Sequence, residues 1–139
     1  MKQQQIILTV RTEGRGLLDV TAPVQDWVRR SGIQTGLLTV FIQHTSASLT
    51  IQENADPDVC RDLESFMERV APEDPSLYRH GAEGPDDMPA HIRSALTDVS
   101  LSIPVSGGRM ALGTWQGLYV FEHRRRGHER RLVLHLLGQ

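Results

Sequence analysis

The chain has 139 residues, which predicts one domain able to bury its own apolar core without covalent staples. Its 15 Lys+Arg face 17 Asp+Glu, a formal net charge of −2, which excludes a global electrostatic pull toward nucleic acid or an anionic membrane. The single cysteine, Cys60, excludes an intrachain disulfide framework and a cysteine-based zinc cluster.

In chain order, residues 5–11 predict a strand, with Ile6, Leu8 and Val10 on one face and Ile7 and Thr9 on the other. A turn follows at Glu13-Gly14-Arg15-Gly16, and Leu17–Val20 resumes the strand. Thr21 as N-cap, Pro23 in the first turn, an apolar stripe of Val24, Trp27 and Val28, and Gly32 as stop predict a short structural helix. Residues 36–44 are the most apolar run and predict a strand buried on both faces. The alternation of 48–52 predicts another strand. Asp56-Pro57 then opens a helix whose Val59, Leu63, Phe66, Met67 and Val70 share one face, with Pro72 as its end. A long loop carries Tyr78, His80, Glu83, Asp86 and Asp87 before a short helix over 89–97. The last third reads as strand: 100–105, 109–114, 118–123 and 132–137, with a basic hairpin tip over 124–130. Helices set between runs of strands predict an α+β fold. It is a mostly antiparallel, jelly-roll-like β-sandwich with two to three flanking helices, formed by residues 1–139 as a single domain. No run approaches the roughly 20 apolar residues that cross a bilayer, so a cytoplasmic protein with no membrane partner and no nucleic-acid partner is expected.

The stretch His44–Asp58 places a histidine, hydroxyls, amides and carboxylates beside a core strand and reads as one wall of a site. His80 and His91 supply a second wall. The three histidines adjoin polar loops, and three imidazoles from separate segments suit a divalent metal, zinc above all, with a position left open. Taken alone, each such histidine is more often a hydrogen-bonded structural residue; it is the three together that point to a metal. Glu83, Asp86 and Asp87 are candidates to accept imidazole N–H groups. No Gly-x-Ser-x-Gly elbow surrounds Ser46 or Ser48, so metal or electrostatic chemistry is expected over a covalent intermediate. The arginines of 124–131 suit a small phosphorylated substrate through bidentate contacts, or form a solvated tip. Trp115 and Gln116, between glycines, read as a platform for a flat ring or as packing.

His44-Thr45-Ser46-Ala47-Ser48-Leu49-Thr50, Glu53-Asn54, Asp56-Pro57, Tyr78-x-His80, Asp86-Asp87-Met88-Pro89-Ala90-His91 and Leu112-Gly113-Thr114-Trp115-Gln116-Gly117 together resemble the motifs of the YjbQ family, also labelled secondary thiamine-phosphate synthase. The resemblance implies a homotrimer with a zinc ion near His44, His80 and His91. It also implies condensation of hydroxymethylpyrimidine diphosphate with thiazole phosphate, releasing diphosphate. On that expectation Glu53, Asp87 and Arg109 are catalytic, and Thr45, Ser46, Asn54, Trp115, Gln116 and Arg124 bind substrate. The same residues also suit a metal-dependent hydrolase of a small phosphorylated or amide substrate, or a non-catalytic module with a structural metal.

Overall fold

Alternation of apolar side chains sets the inner face of nearly every strand. In the computed structural model, which describes residues 1–139, the strands are β1 (Lys2–Arg11), β2 (Gly16–Asp19), β3 (Thr35–Ile42), β4 (Ala47–Glu53), β5 (Ser100–Ser106), β6 (Arg109–Met110), β7 (Gln116–Glu122) and β8 (Glu129–Gly138). The helices are α1 (Thr21–Ser31), α2 (Pro57–Val70) and α3 (Asp87–Leu96). One sheet has the order β1-β8-β3-β5-β6 and the other β2-β7-β4, and all the pairings are antiparallel. The α+β sandwich expected from the sequence is the fold found.

The two sheets close on one core. Leu38, Val40 and Ile42 of β3 meet Leu134 and Leu136 of β8 and Ile103 of β5; Leu49 of β4 and Leu118 and Val120 of β7 face them, with Val24 and Val28 of α1 sealing one side. Burying a side chain of this kind contributes about 1.5–3 kcal/mol. The expectation that β3 is buried on both faces is corrected here: Leu37 and Phe41 point outward and remain 47% and 42% exposed. The strand expected over 109–114 stops at Met110, after which the Gly113 N–H donates to the Gln116 side chain and the chain turns.

Two helix starts follow from side-chain chemistry. Asp56 caps α2 by accepting the Asp58 N–H at 2.9 Å, with Pro57 in the first turn, as the sequence predicts. Thr21 instead becomes the first residue of α1; its hydroxyl accepts the Leu118 N–H and pins the helix to β7. Gly32, at φ 75°, ends α1 in the left-handed region that glycine tolerates. The apolar face of α2 is only partly covered: Met67 is buried, while Phe66 and Val70 stay exposed.

The sandwich has two ends. At one, the start of β4 pairs with the end of β7, Ala47 with Glu122. There α3 lies beside β4, its Ser94 hydroxyl donating to the Ala47 carbonyl. At the other end Glu53 pairs with Gln116. Six residue steps of strand separate them, about 20 Å.

Candidate metal centre

A four-residue spacing places Asp87 and His91 on one face of α3. The preceding loop, shaped by the left-handed Gly84, folds His80 and Glu83 back onto that face. The two imidazoles then converge on one carboxylate oxygen. His80 Nε2 lies 2.7 Å and His91 Nε2 3.1 Å from Asp87 Oδ2, with the rings edge-on at 5.5 Å between centroids. Glu83 Oε2 is 3.8 Å from His80 Nε2. The donor atoms of His80, Glu83, Asp87 and His91 all lie within 4.8 Å of one another. Donors around a tetrahedral zinc at ~2.1 Å sit about 3.4 Å apart, so this set fits the ion with small side-chain movements.

Arg124, just past β7, holds the acidic partners in place. Its guanidinium donates to Asp86 Oδ2 at 2.9 Å and to the Glu83 carbonyl at 3.1 Å, and forms an ion pair with Asp87 Oδ1 at 2.9 Å. The Arg125 N–H adds a bond to Asp86 Oδ2. Burial works against the charge on Asp86, but these donors outweigh it and lower its pKa to about 2. Burial likewise opposes ionisation of Asp87, and the hydrogen bonds from the His80 side, with the His91 and Arg124 charges, carry its pKa below the ordinary value. Asp87 thus stays anionic, as a metal ligand must.

His44 lies outside this cluster. Its Nε2 accepts the Arg131 backbone N–H at 2.9 Å. Burial, and then the nearby Arg130 charge, lower its pKa, so the ring is neutral with its proton on Nδ1. It still faces the cluster across a cleft of about 290 Å³ lined by His44, Thr45, His91 and Ser94.

The neighbouring hydroxyls serve the fold. Ser46 accepts from Arg130, whose guanidinium forms a buried ion pair with Glu122, joined there by the Thr12 hydroxyl. Ser48 and His123 are both fully buried and bond to each other at 2.8 Å between Oγ and Nε2. Burial, more than the adjacent Arg93 charge, pushes the His123 pKa down to about 3. The sequence reading missed this internal network. The only signal for it in the sequence was the continuous apolar run Leu118–Phe121, which leads without a turn into Glu122 and His123.

The remaining expected site residues sit at the far end. Asn54 bonds the Gln116 carbonyl, Glu53 pairs with Gln116, and Trp115 is 63% exposed beside them. Arg109 pairs with Ser106, which in turn faces Thr35 at the start of β3, again the end away from His44. The structure brings His80, Asp87, His91 and Arg124 together and leaves Glu53, Asn54, Arg109, Trp115 and Gln116 about 20 Å away.

An antiparallel α+β sandwich carrying a histidine–carboxylate cluster at the start of a short helix is the class this geometry defines. The chain belongs to the family described as "UPF0047 protein YjbQ-like", whose model matches residues 6–139. It is 54% identical over 138 residues to UPF0047 protein sll1880 of Synechocystis, covering 99% of this chain and 94% of that one. It is 43% identical to UPF0047 protein YjbQ of Escherichia coli O157:H7, covering 97% and 98%. Among solved structures, hypothetical protein APE1520 of Aeropyrum pernix superposes with a TM-score of 0.88 at 33% identity, covering 98% of this chain and 99% of that one. An uncharacterized YjbQ/UPF0047 protein of Clostridium acetobutylicum gives 0.85 at 36%, covering 95% and 99%.

These matches correct the expected activity. The family and its members are described as uncharacterised, and none carries a thiamine-phosphate synthase description. The geometry agrees with the correction, because Glu53, Arg109 and Trp115, on which that chemistry was to rest, stand at the opposite end from the histidine cluster.

Proposed function

We propose that this chain is a divalent-metal-binding protein whose ion, zinc by preference, sits between His80, Asp87 and His91 with Glu83 in reach. The observation that carries the reading is the meeting of two imidazole nitrogens on Oδ2 of the buried Asp87 carboxylate, whose other oxygen pairs with Arg124. Two nitrogen and one or two oxygen donors suit zinc, and Glu83, more exposed and 3.8 Å away, is the donor most easily displaced. A bound ion would supply a Lewis-acidic position open to a small anionic ligand. Around it, Arg124 orients Asp87, and the cleft between His91 and His44 admits the ligand.

The chain is also a homo-oligomer in this reading, with the trimer implied by the family resemblance. Ile7, Val133 and Phe41 lie side by side across β1, β8 and β3 on the outer face, and Leu37 and Leu137 form a second apolar pair there beyond the row of Gln5, His135 and Thr39. Four of the five apolar side chains are more than two-fifths exposed, surface that a second copy would cover. A reducing cytoplasm suits the lone unpaired Cys60, and no helix is long and apolar enough to cross a membrane.

Elemental analysis of the purified chain and calorimetric zinc titration test the metal reading. One ion per chain, lost in Asp87→Asn, is expected; a wild-type chain that neither retains nor binds a divalent ion overturns it. Sedimentation of the wild type against Phe41→Glu tests the assembly, with dissociation expected.

A further inference from the structure

Next to the histidine cluster, on the far side of Asp86, lies a second concavity. It measures about 470 Å³ and has no hydrophobic residue in its wall. Arg124, Arg125, Arg126 and His128 line one side, Glu83 and Asp86 the other. The charges in this wall are unequally engaged. Arg124 is held by Asp86 and Asp87, and Arg125 pairs with Glu73 at 2.9 Å. The Arg126 guanidinium makes no hydrogen bond or ion pair with the protein. The His128 Nδ1–H donates to the Arg126 carbonyl at 2.7 Å, which leaves its Nε2 without a hydrogen-bond partner.

The tip carrying these groups is fixed. Thr12 and His128 exchange backbone and hydroxyl bonds, the Thr12 N–H donating to the His128 carbonyl and the His128 N–H to the Thr12 hydroxyl. Gly127 lies so close that a Cβ there would stand 2.2 Å from the Thr12 carbonyl oxygen. Glu73 bridges Arg125 and Arg15 and ties the tip to the loop after α2. The fixed backbone sets where the Arg126 side chain starts, while its exposed guanidinium stays free to turn toward a ligand.

We propose that this concavity is an oxyanion pocket for a small phosphate monoester, held by Arg126 and His128 and coupled to the neighbouring cation site. The inference rests on the metal reading above and adds the ligand class to it. Four arginines, Arg15, Arg124, Arg125 and Arg126, face four carboxylates, Glu73, Glu83, Asp86 and Asp87, so without a cation the surroundings carry no net positive charge to favour an anion. A divalent ion at Asp87 tips that balance, and drawing Glu83 toward the ion removes a carboxylate from the pocket wall. Phosphate and cation therefore raise each other's affinity by the same factor. A nucleic-acid backbone fits poorly: Arg130 of the basic run is buried on Glu122, the pocket has an acidic wall, and the chain's net charge is −2.

The test is calorimetric titration of the full chain with methyl phosphate at low salt, with saturating zinc and after chelation. We expect one site per chain, tighter with zinc by on the order of tenfold or more. Arg126→Glu is expected to weaken methyl phosphate on the order of tenfold or more while leaving zinc affinity within a factor of about two. Arg126→Lys is expected to restore part of it. If zinc binds but methyl phosphate does not, or ignores Arg126→Glu, the pocket is overturned and the metal centre stands. If no zinc binds, the metal reading fails and the coupling with it, whatever phosphate does. A single-stranded oligonucleotide that displaces methyl phosphate from the chelated chain also overturns the proposal.

Discussion

His44–Asp58 and His80–His91 are both dense in polar groups, and in the fold they do opposite things. In the first, His44 accepts a backbone N–H, Ser46 accepts from Arg130, Ser48 meets His123 in the core, and Asp56 caps α2. Its polar groups close the fold on itself. In the second, His80, Glu83, Asp87 and His91 turn toward one another, and the only permanent charge bound to Asp87 is Arg124. Polar density marks both stretches. What separates them is whether each group's hydrogen-bonding capacity is met by the backbone and the core or left facing a common point.

The largest effect that can break this comparison lies in the first region. Glu122 and Arg130 are both nearly fully buried, and Thr12 and Ser46 complete their bonds. Arg130→Met leaves a buried carboxylate without its counter-charge and is expected to cost about 3–5 kcal/mol in urea denaturation. Zinc affinity, measured where the variant is folded, should be unchanged. Asp87→Asn should do the reverse: zinc affinity falls on the order of a hundredfold, with a smaller loss of stability. A variant that damages both properties alike would mean the two regions are one unit.

The pH dependence of stability reports on the first region as well. The folded His123 pKa, about 3, lies below the ordinary 6.5. Below pH 6.5 protons therefore bind the unfolded chain in preference, and stability is lost as pH falls until the folded ring titrates near 3. Between pH 6.5 and 5 the loss from this group is about 2 kcal/mol. Denaturation of the wild type and His123→Gln at the two pH values should show a flatter dependence in the variant. An equal slope in both would mean that His123 is accessible to protons in the folded state.

His44→Ala sharpens the comparison more finely. The imidazole faces His91 across the cleft but bonds the Arg131 N–H. Its removal is expected to cost about 1 kcal/mol of stability, the worth of one hydrogen bond, and to leave zinc affinity within a factor of ten. A loss of zinc as large as that in Asp87→Asn would mean that the cleft closes on the ion and draws His44 in.

Much of the fold was legible because it follows local rules. The two-faced strand pattern of residues 5–11, the alternation in 48–52, the Asp56-Pro57 start of α2 and the Gly32 stop of α1 each depend on a few neighbours. Asp87 and His91 were not legible as a pair, because the helix expected over 89–97 left Asp87 in the preceding loop, whereas α3 begins at Asp87 and puts both on one face. The outward turn of Leu37 and Phe41 was not legible either, because an apolar strand reads the same whether its second face meets a helix or open surface. Nor was the separation of Glu53 and Trp115 from the histidines. Nine residues after His44, Glu53 has been carried down the length of β4, and only the pairing of β4 with β7 shows that Gln116 travels with it.

That separation gives the smallest expected effect. Glu53 and Trp115 were candidates because charge and an aromatic ring stood in a motif, Glu53 close in sequence to His44. In the fold Glu53 is half-buried at the rim, where its side chain accepts the Asp56 N–H, and Trp115 is mostly in solvent. Both lie about 20 Å from Asp87, beyond two Debye lengths at physiological salt, so neither charge nor contact reaches the ion. Glu53→Gln and Trp115→Ala are expected to shift zinc and methyl phosphate affinity less than about twofold and stability by no more than about 0.5 kcal/mol. Calorimetry on the two variants checks this. A tenfold loss in either would require the far end of one chain to meet the metal centre of another, and repeating the titration in the dissociated Phe41→Glu form would decide it: the loss should then disappear.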